Sequence, residues 1–165
     1  MKAWAQRPHE EAYLLNPAFC ATVITASALA YSSVETVGMP FPLAFMILPT
    51  VLHKLTRESL PRDTRTSLAA WLQENGMAKI LFADRVISLK PFTREAVVFG
   101  AQHSWLAIQA NGHLIALMKP RKMDLMVRKL DSEPRESVTR ARFVGKWFAL
   151  AGTAQTVMAL WGIRP

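Results

Sequence analysis

Two stretches without a single charge dominate the first third of the chain, Pro17 to Val34 and Val37 to Leu52. Each approaches the ~20 residues of a membrane-spanning helix. The first is rich in alanine and carries Thr22, Thr25, Ser27, Ser32 and Ser33, so it is only weakly hydrophobic. The second is interrupted by Pro40, Pro42 and Pro49, which leave no clean stretch long enough to span. Both read better as buried helices of a protein in water. Asn16 as N-cap and Pro17 in the first turn predict a helix to about Val34, ending before Gly38. Its apolar residues lie all round, which predicts burial on several sides. A second helix is predicted over Pro42 to Lys54, kinked at Pro49.

Further along, Asp63 or Thr64 can cap a helix through Leu68, Trp71 and Leu72 that stops at Asn75-Gly76. A second helical piece, Lys79 to Leu89, has Ile80, Phe82, Ala83, Val86 and Ile87 on one broad face and is predicted to end at Pro91. Thr93 can cap a third, Arg94 to about His103. The periodicity then changes. Trp105 to Ala110 and His113 to Leu117 flank Asn111-Gly112, the hairpin signal of a two-residue type I′ turn with positive φ at both positions.

The stretch Met123 to Leu130 reads as a short helix or a linker. A last helix starts at Ser132-Glu133-Pro134, with Val138, Ala141, Val144, Trp147, Phe148 and Ala151 at helical spacing and Arg135, Arg140 and Arg142 on the remaining surface. Gly145 and Gly152 weaken it but would let a neighbouring helix approach closely. The fold class expected is therefore mostly α with a small β-hairpin. A winged helix–turn–helix-like core at 63–118 would sit between apolar N-terminal helices at 17–54 and a basic helical part at 119–165, all in a single domain. An unrelated α+β arrangement is the alternative.

Composition sharpens this picture. Of 165 residues, 51% are hydrophobic and 19% charged, against an ordinary charged share of about 25%. The surface left over is unusually apolar, which suits a permanent partner, or else a simply well-packed monomer. The formal charge of +8 is uneven: residues 1–118 carry a net +2 and residues 119–165 a net +6. Lys119, Arg121, Lys122, Arg128 and Lys129, offset only by Asp124, are the candidate contact residues, for DNA or for an acidic protein surface. A solvated basic face is the bland alternative.

Candidate chemistry is sparse. The four histidines, His9, His53, His103 and His113, lack metal-ligand spacing and suit surface or cap roles. Cys20, the single cysteine, excludes an internal disulfide and reads as a buried small hydrophobe. No phosphate-cradling glycine motif is present, so no nucleotide site, metal or other cofactor is expected. Asp63, Glu74, Asp84 and Glu95 could meet as an acidic cluster, although pairing with arginine is the commoner fate. Trp71, Trp105, Trp147 and Trp161 suit cores and interfaces. No signal peptide opens the chain, so a cytoplasmic location is expected, with no membrane partner.

A resemblance runs along nearly the whole chain. It is carried by Arg7-Pro8 with Leu14-Leu15-Asn16-Pro17-Ala18-Phe19, then Pro42-Leu43-Ala44-Phe45, Leu48-Pro49 and Leu52-His53-Lys54. Arg57-Glu58 with Leu60-Pro61, Trp71-Leu72, Thr93-Arg94-Glu95, Gly145-Lys146-Trp147-Phe148 and Gly162-Ile163-Arg164-Pro165 complete it. Together these resemble the middle component of three-component ABC systems, which are related to Lamassu-type bacterial defence. The resemblance implies a non-enzymatic accessory subunit that joins an SMC/Rad50-like ABC ATPase to an effector, often a nuclease, with DNA reached through the complex. It implies no catalytic residue. The alternative is a free-standing winged-helix transcriptional regulator. The stretch Thr93 to His103 would be its recognition helix, and with Ala96, Val97, Val98 and Phe99 it is too apolar to read bases well.

Overall fold

The computed structural model describes residues 15–163 of the chain. Helix α1 (Pro17–Ser32) begins as its sequence dictates: the Asn16 side chain accepts from Ala18 N–H at 2.8 Å, and Pro17 fills the first turn. All residues from Cys20 to Ala28 are buried, so the helix is covered on every side, as a pattern without a polar face demands. Two residues of strand, β1 (Met39–Pro40), lead into α2 (Phe41–Val51). Pro49 lies inside α2, buried, but the helix stops short of the predicted Lys54. The chain turns at Leu52, and His53 starts a separate helix, α3 (Lys54–Ser59), by accepting from Thr56 N–H at 3.3 Å.

Arg57 on α3 is the most deeply buried cation described, its side chain 3% exposed. It donates to the Val51 carbonyl at the end of α2 (3.0 Å) and to Glu133 (3.0 Å), with Glu136 at 3.6 Å. A carbonyl left unpaired by the end of one helix is thus satisfied by a charge that also holds a distant segment. The connecting segment to α4 (Leu68–Glu74) is pinned by two indole N–H groups, Trp71 to the Ser59 carbonyl at 2.9 Å and Trp147 to the Thr66 carbonyl at 2.8 Å. Ser67, accepting from Ala70 N–H, is the N-cap, rather than the predicted Asp63 or Thr64. Asp63 is taken by Arg65, which grips both carboxylate oxygens.

After a 3₁₀ turn (Gly76–Lys79), α5 (Phe82–Gln102) runs unbroken. This corrects the sequence reading, which ended one helix at Pro91 and began another at Thr93. Pro91 sits on the exposed side of α5, while Thr93, Ala96, Val97 and Gly100 are buried on the other. Burial of that face after the proline, continued before it by Phe82 and the half-buried Val86 and Leu89, outweighs the ~3 kcal/mol that an interior proline costs. With no turn at this point, the expected helix–turn–helix break is absent. The predicted apolar face of the preceding segment is also corrected, since Phe82 is buried but Ile80 and Ile87 are 51% and 68% exposed.

The hairpin forms, from β2 (Leu106–Ile108) and β3 (His113–Ala116), with Ile108 opposite Leu114. Its turn differs from the prediction. Gln109 N–H bonds the His113 carbonyl at 2.8 Å and Gly112 N–H bonds the Gln109 carbonyl at 2.9 Å, leaving a three-residue loop. Positive φ occurs at Gly112 (77°) and not at Asn111, so the glycine alone supplies the left-handed step. A third strand completes the sheet: β1 pairs antiparallel with β3, Met39 opposite Leu114, giving the order β1-β3-β2.

Three more helices follow: α6 (Pro120–Arg128), α7 (Ser132–Leu150) and α8 (Ala154–Leu160). Val138, Ala141, Val144, Trp147 and Phe148 of α7 are buried as its spacing predicts. Arg140 is no surface residue, being half-buried and donating to the Leu60 carbonyl. An aromatic cluster closes this end: Trp161 stacks on Phe82 (4.0 Å between ring centres) and leans on Trp71, which meets Trp147 edge-on. Helices α5 and α7 are the principal cover of α1. At the α1–α7 crossing, Gly145 abuts the Ser27 main chain so closely that a β-carbon at 145 would fall on the Ser27 carbonyl and within 2.8 Å of its hydroxyl.

Gly145→Ala is therefore expected to force the two helices apart and to destabilise the protein by about 1–3 kcal/mol, measured by denaturant unfolding. Gly76→Ala, where a β-carbon meets open space, is the control and should stay within about 0.5 kcal/mol.

Candidate functional site

The basic cluster after the hairpin folds as helix α6. Pro120 fits its first turn, and the buried Met123 and Val127, one turn apart, seat it on the core. At about 100° per residue, the side opposite that pair is fixed by arithmetic. Arg121 and Arg128 fall on one row, Lys122 and Lys129 on a second row beside it, and Leu125 between the two. Lys119 stands at the N-cap. All five predicted contact residues are exposed, and none of their side chains has a hydrogen bond or ion pair among the described residues. The structure thus gathers them on one helix. Leu125, 53% exposed at the centre of the four cations, was not picked out from the sequence. A helical wheel started at Pro120 would have found it.

The neighbouring arginines contrast with these. Arg135 donates to the Arg128 and Leu130 carbonyls (3.0 and 2.7 Å), satisfying the C-terminal end of α6. Arg142 reaches Asp124 at 2.6 Å, so the one acid of α6 is bound on the side toward α7 and leaves the outer face uncompensated. These cations are therefore of two kinds, braces that bind carbonyls or Asp124 and the unpaired outer face of α6. Such a face can hold phosphates or carboxylates, and its central leucine adds apolar contact.

The groups capable of covalent or acid–base chemistry lie elsewhere. Cys20 is fully buried, and burial, with Glu95 adding to it, pushes its thiol up to about 12. His53 caps α3, and its pKa is lowered by burial and by nearby Arg85. His103 bonds the Phe99 carbonyl at 2.8 Å and stacks on the Phe99 ring, while His113 sits at the hairpin turn. His9 lies outside the described residues. Asp63 is held at about 2 by hydrogen bonds from Arg65. Among the described residues, no three of His, Cys, Asp and Glu converge to hold a metal ion, and no helix is long and apolar enough to cross a membrane. Trp71, Trp147 and Trp161 are buried; Trp105 is half-buried against Phe99 and His103.

The family model described as ABC-three component (ABC-3C) system Middle Component 3 matches residues 4–165. The chain belongs to this family. No curated protein and no solved structure matches it. As a middle component, it has the other components of its system as partners. The resemblance read from short segments dispersed along the chain is thereby borne out.

Two outcomes are expected of this middle component. Because the α6 cations are exposed and unpaired, Lys119→Ala, Arg121→Ala and Lys122→Ala together should change unfolding free energy by no more than about 0.5 kcal/mol. Cys20 should resist thiol reagents at pH 8 until denaturant is added, since burial keeps its thiol protonated. The sign of the linked pH dependence follows. A folded-state pKa near 12 against an ordinary 9.0 leaves stability intact below pH 9 and lowers it as pH rises from 9 toward 12.

Proposed function

We propose that this middle component is a non-catalytic bridging subunit, joining an SMC-like ABC ATPase to an effector in a bacterial anti-phage or anti-plasmid defence complex. Family membership carries the reading. It is supported by surface left unfinished in this chain: the unpaired basic face of α6 and large apolar residues in water, among them Met77, Ile80, Leu81, Ile87, Val98 and Leu125. Apolar side chains left in water suit contact with another protein where they adjoin. A role without catalysis is supported by how the reactive groups are used: Cys20 buried, His53 capping, Asp63 gripped by Arg65. The complex would work in the cytoplasm, and DNA would be met through it.

A free-standing winged-helix regulator is the second reading, favoured by a hairpin that sits between the long helix α5 and the basic helix α6. A regulator needs a polar helix free to enter a groove. Helix α5 instead buries Ala96, Val97 and Gly100 and exposes Ile87 and Val98.

Co-expression with the products of the neighbouring genes decides between the two. Expressed alone, the chain is expected to self-associate; with the ATPase it should purify as one discrete assembly by native mass spectrometry. A monodisperse monomer that binds specific operator DNA and ignores the ATPase would establish the regulator instead.

A further inference from the structure

We infer that the outer face of α6 is the docking site for an acidic amphipathic helix contributed by another component of the system; this rests on the bridging reading above. The face has a defined form. Arg121 and Arg128 lie one heptad apart on one side of Leu125, and Lys122 and Lys129 one heptad apart on the other. Each pair is separated by about 10 Å along the axis, two helical turns. A partner helix with Asp or Glu at the same seven-residue spacing, flanking an apolar stripe, meets both rows while its apolar residues cover Leu125.

The position of Leu125 favours such a helix over nucleic acid. Leu125 stands at the centre of the face, 53% exposed, where phosphate contacts would gain nothing from it. The helix already spends Met123 and Val127 on the core, so Leu125 is a second apolar position turned away from its own protein. The charge on the face is uncompensated, because Asp124 is held by Arg142. An acidic partner would neutralise it and bring the apolar residues together in the same step. Electrostatic attraction then sets the rate and orientation of docking, and burial of the leucine makes it last.

The test uses the assembled complex. Zero-length carbodiimide coupling joins amines to carboxylates in direct contact, so Lys122 and Lys129 should cross-link to Asp or Glu of one helical segment in another component. Leu125→Asp and the pair K122E/K129E should each weaken capture of that component about tenfold or more. The cross-link map of unaltered protein needs no variant, so it decides the matter even if a variant folds poorly. The proposal is overturned if the lysines give no such cross-link and Leu125→Asp assembles normally while K122E/K129E only lowers duplex DNA affinity, with the salt slope reduced by about two. The face would then belong to nucleic acid and the bridging role would stand. If the unaltered chain captures no other component at all, the docking site and the bridging role both fall.

Discussion

Everything in this fold is arranged around one close approach, the crossing of α1 and α7 at Ser27 and Gly145. A helix buried on every side needs neighbours on every side, and alanine, threonine and serine along α1 keep its surface shallow enough for them. Gly145 removes the last obstacle on the α7 side. With the two axes so near, Val138, Ala141, Val144 and Phe148 all reach the core, and α5 can cover α1 from another direction. The helical entropy that glycine costs α7 is repaid in contact, the usual reason for a glycine in the middle of a helix.

Around this crossing, arginine does work that a larger sheet or longer helices would do elsewhere. Arg57, Arg135 and Arg140 each donate to main-chain carbonyls near helix ends; Arg57 and Arg135 close the ends of neighbouring helices, and Arg140 reaches Leu60 across the fold. Helices as short as α3 and α6 leave many such carbonyls per residue. A guanidinium, with several donors in one plane, satisfies two of them at once. High basic content in this chain is thus partly structural, and net charge alone overstates how much of it is offered to a partner.

The parts of the fold legible in the sequence were those set by local signals. Asn16-Pro17 begins α1, Asn75 ends α4, and Asn111-Gly112 marks the hairpin, because caps and turns depend on residues a few positions apart. Tertiary burial erased other local signals. Pro91 should break a helix, yet the buried residues on both sides of it hold α5 straight through. Strand β1 was invisible, since two residues carry no alternation and its partner lies more than seventy positions away. The turn type was misjudged because Gln109, rather than Ala110, pairs with His113. For the candidate site, the list of cations could be read directly, but their arrangement on a face could not. It depended on knowing that residues 120–128 are helical, and only then does Leu125 stand out.

The same crossing has a consequence for how the protein is made. Helix α1, uncharged and apolar all round, leaves the ribosome before its main cover, α7, which is synthesised roughly a hundred residues later. At about 5–20 residues per second, that delay is about 5–20 seconds, long compared with the collapse of a short chain. Through that interval a helix that needs neighbours on every side has none of its final ones from α7. Such a nascent chain calls for a chaperone, or for a partner protein already waiting as it emerges. Encoding the three components side by side would place that partner within reach while the gap is still open.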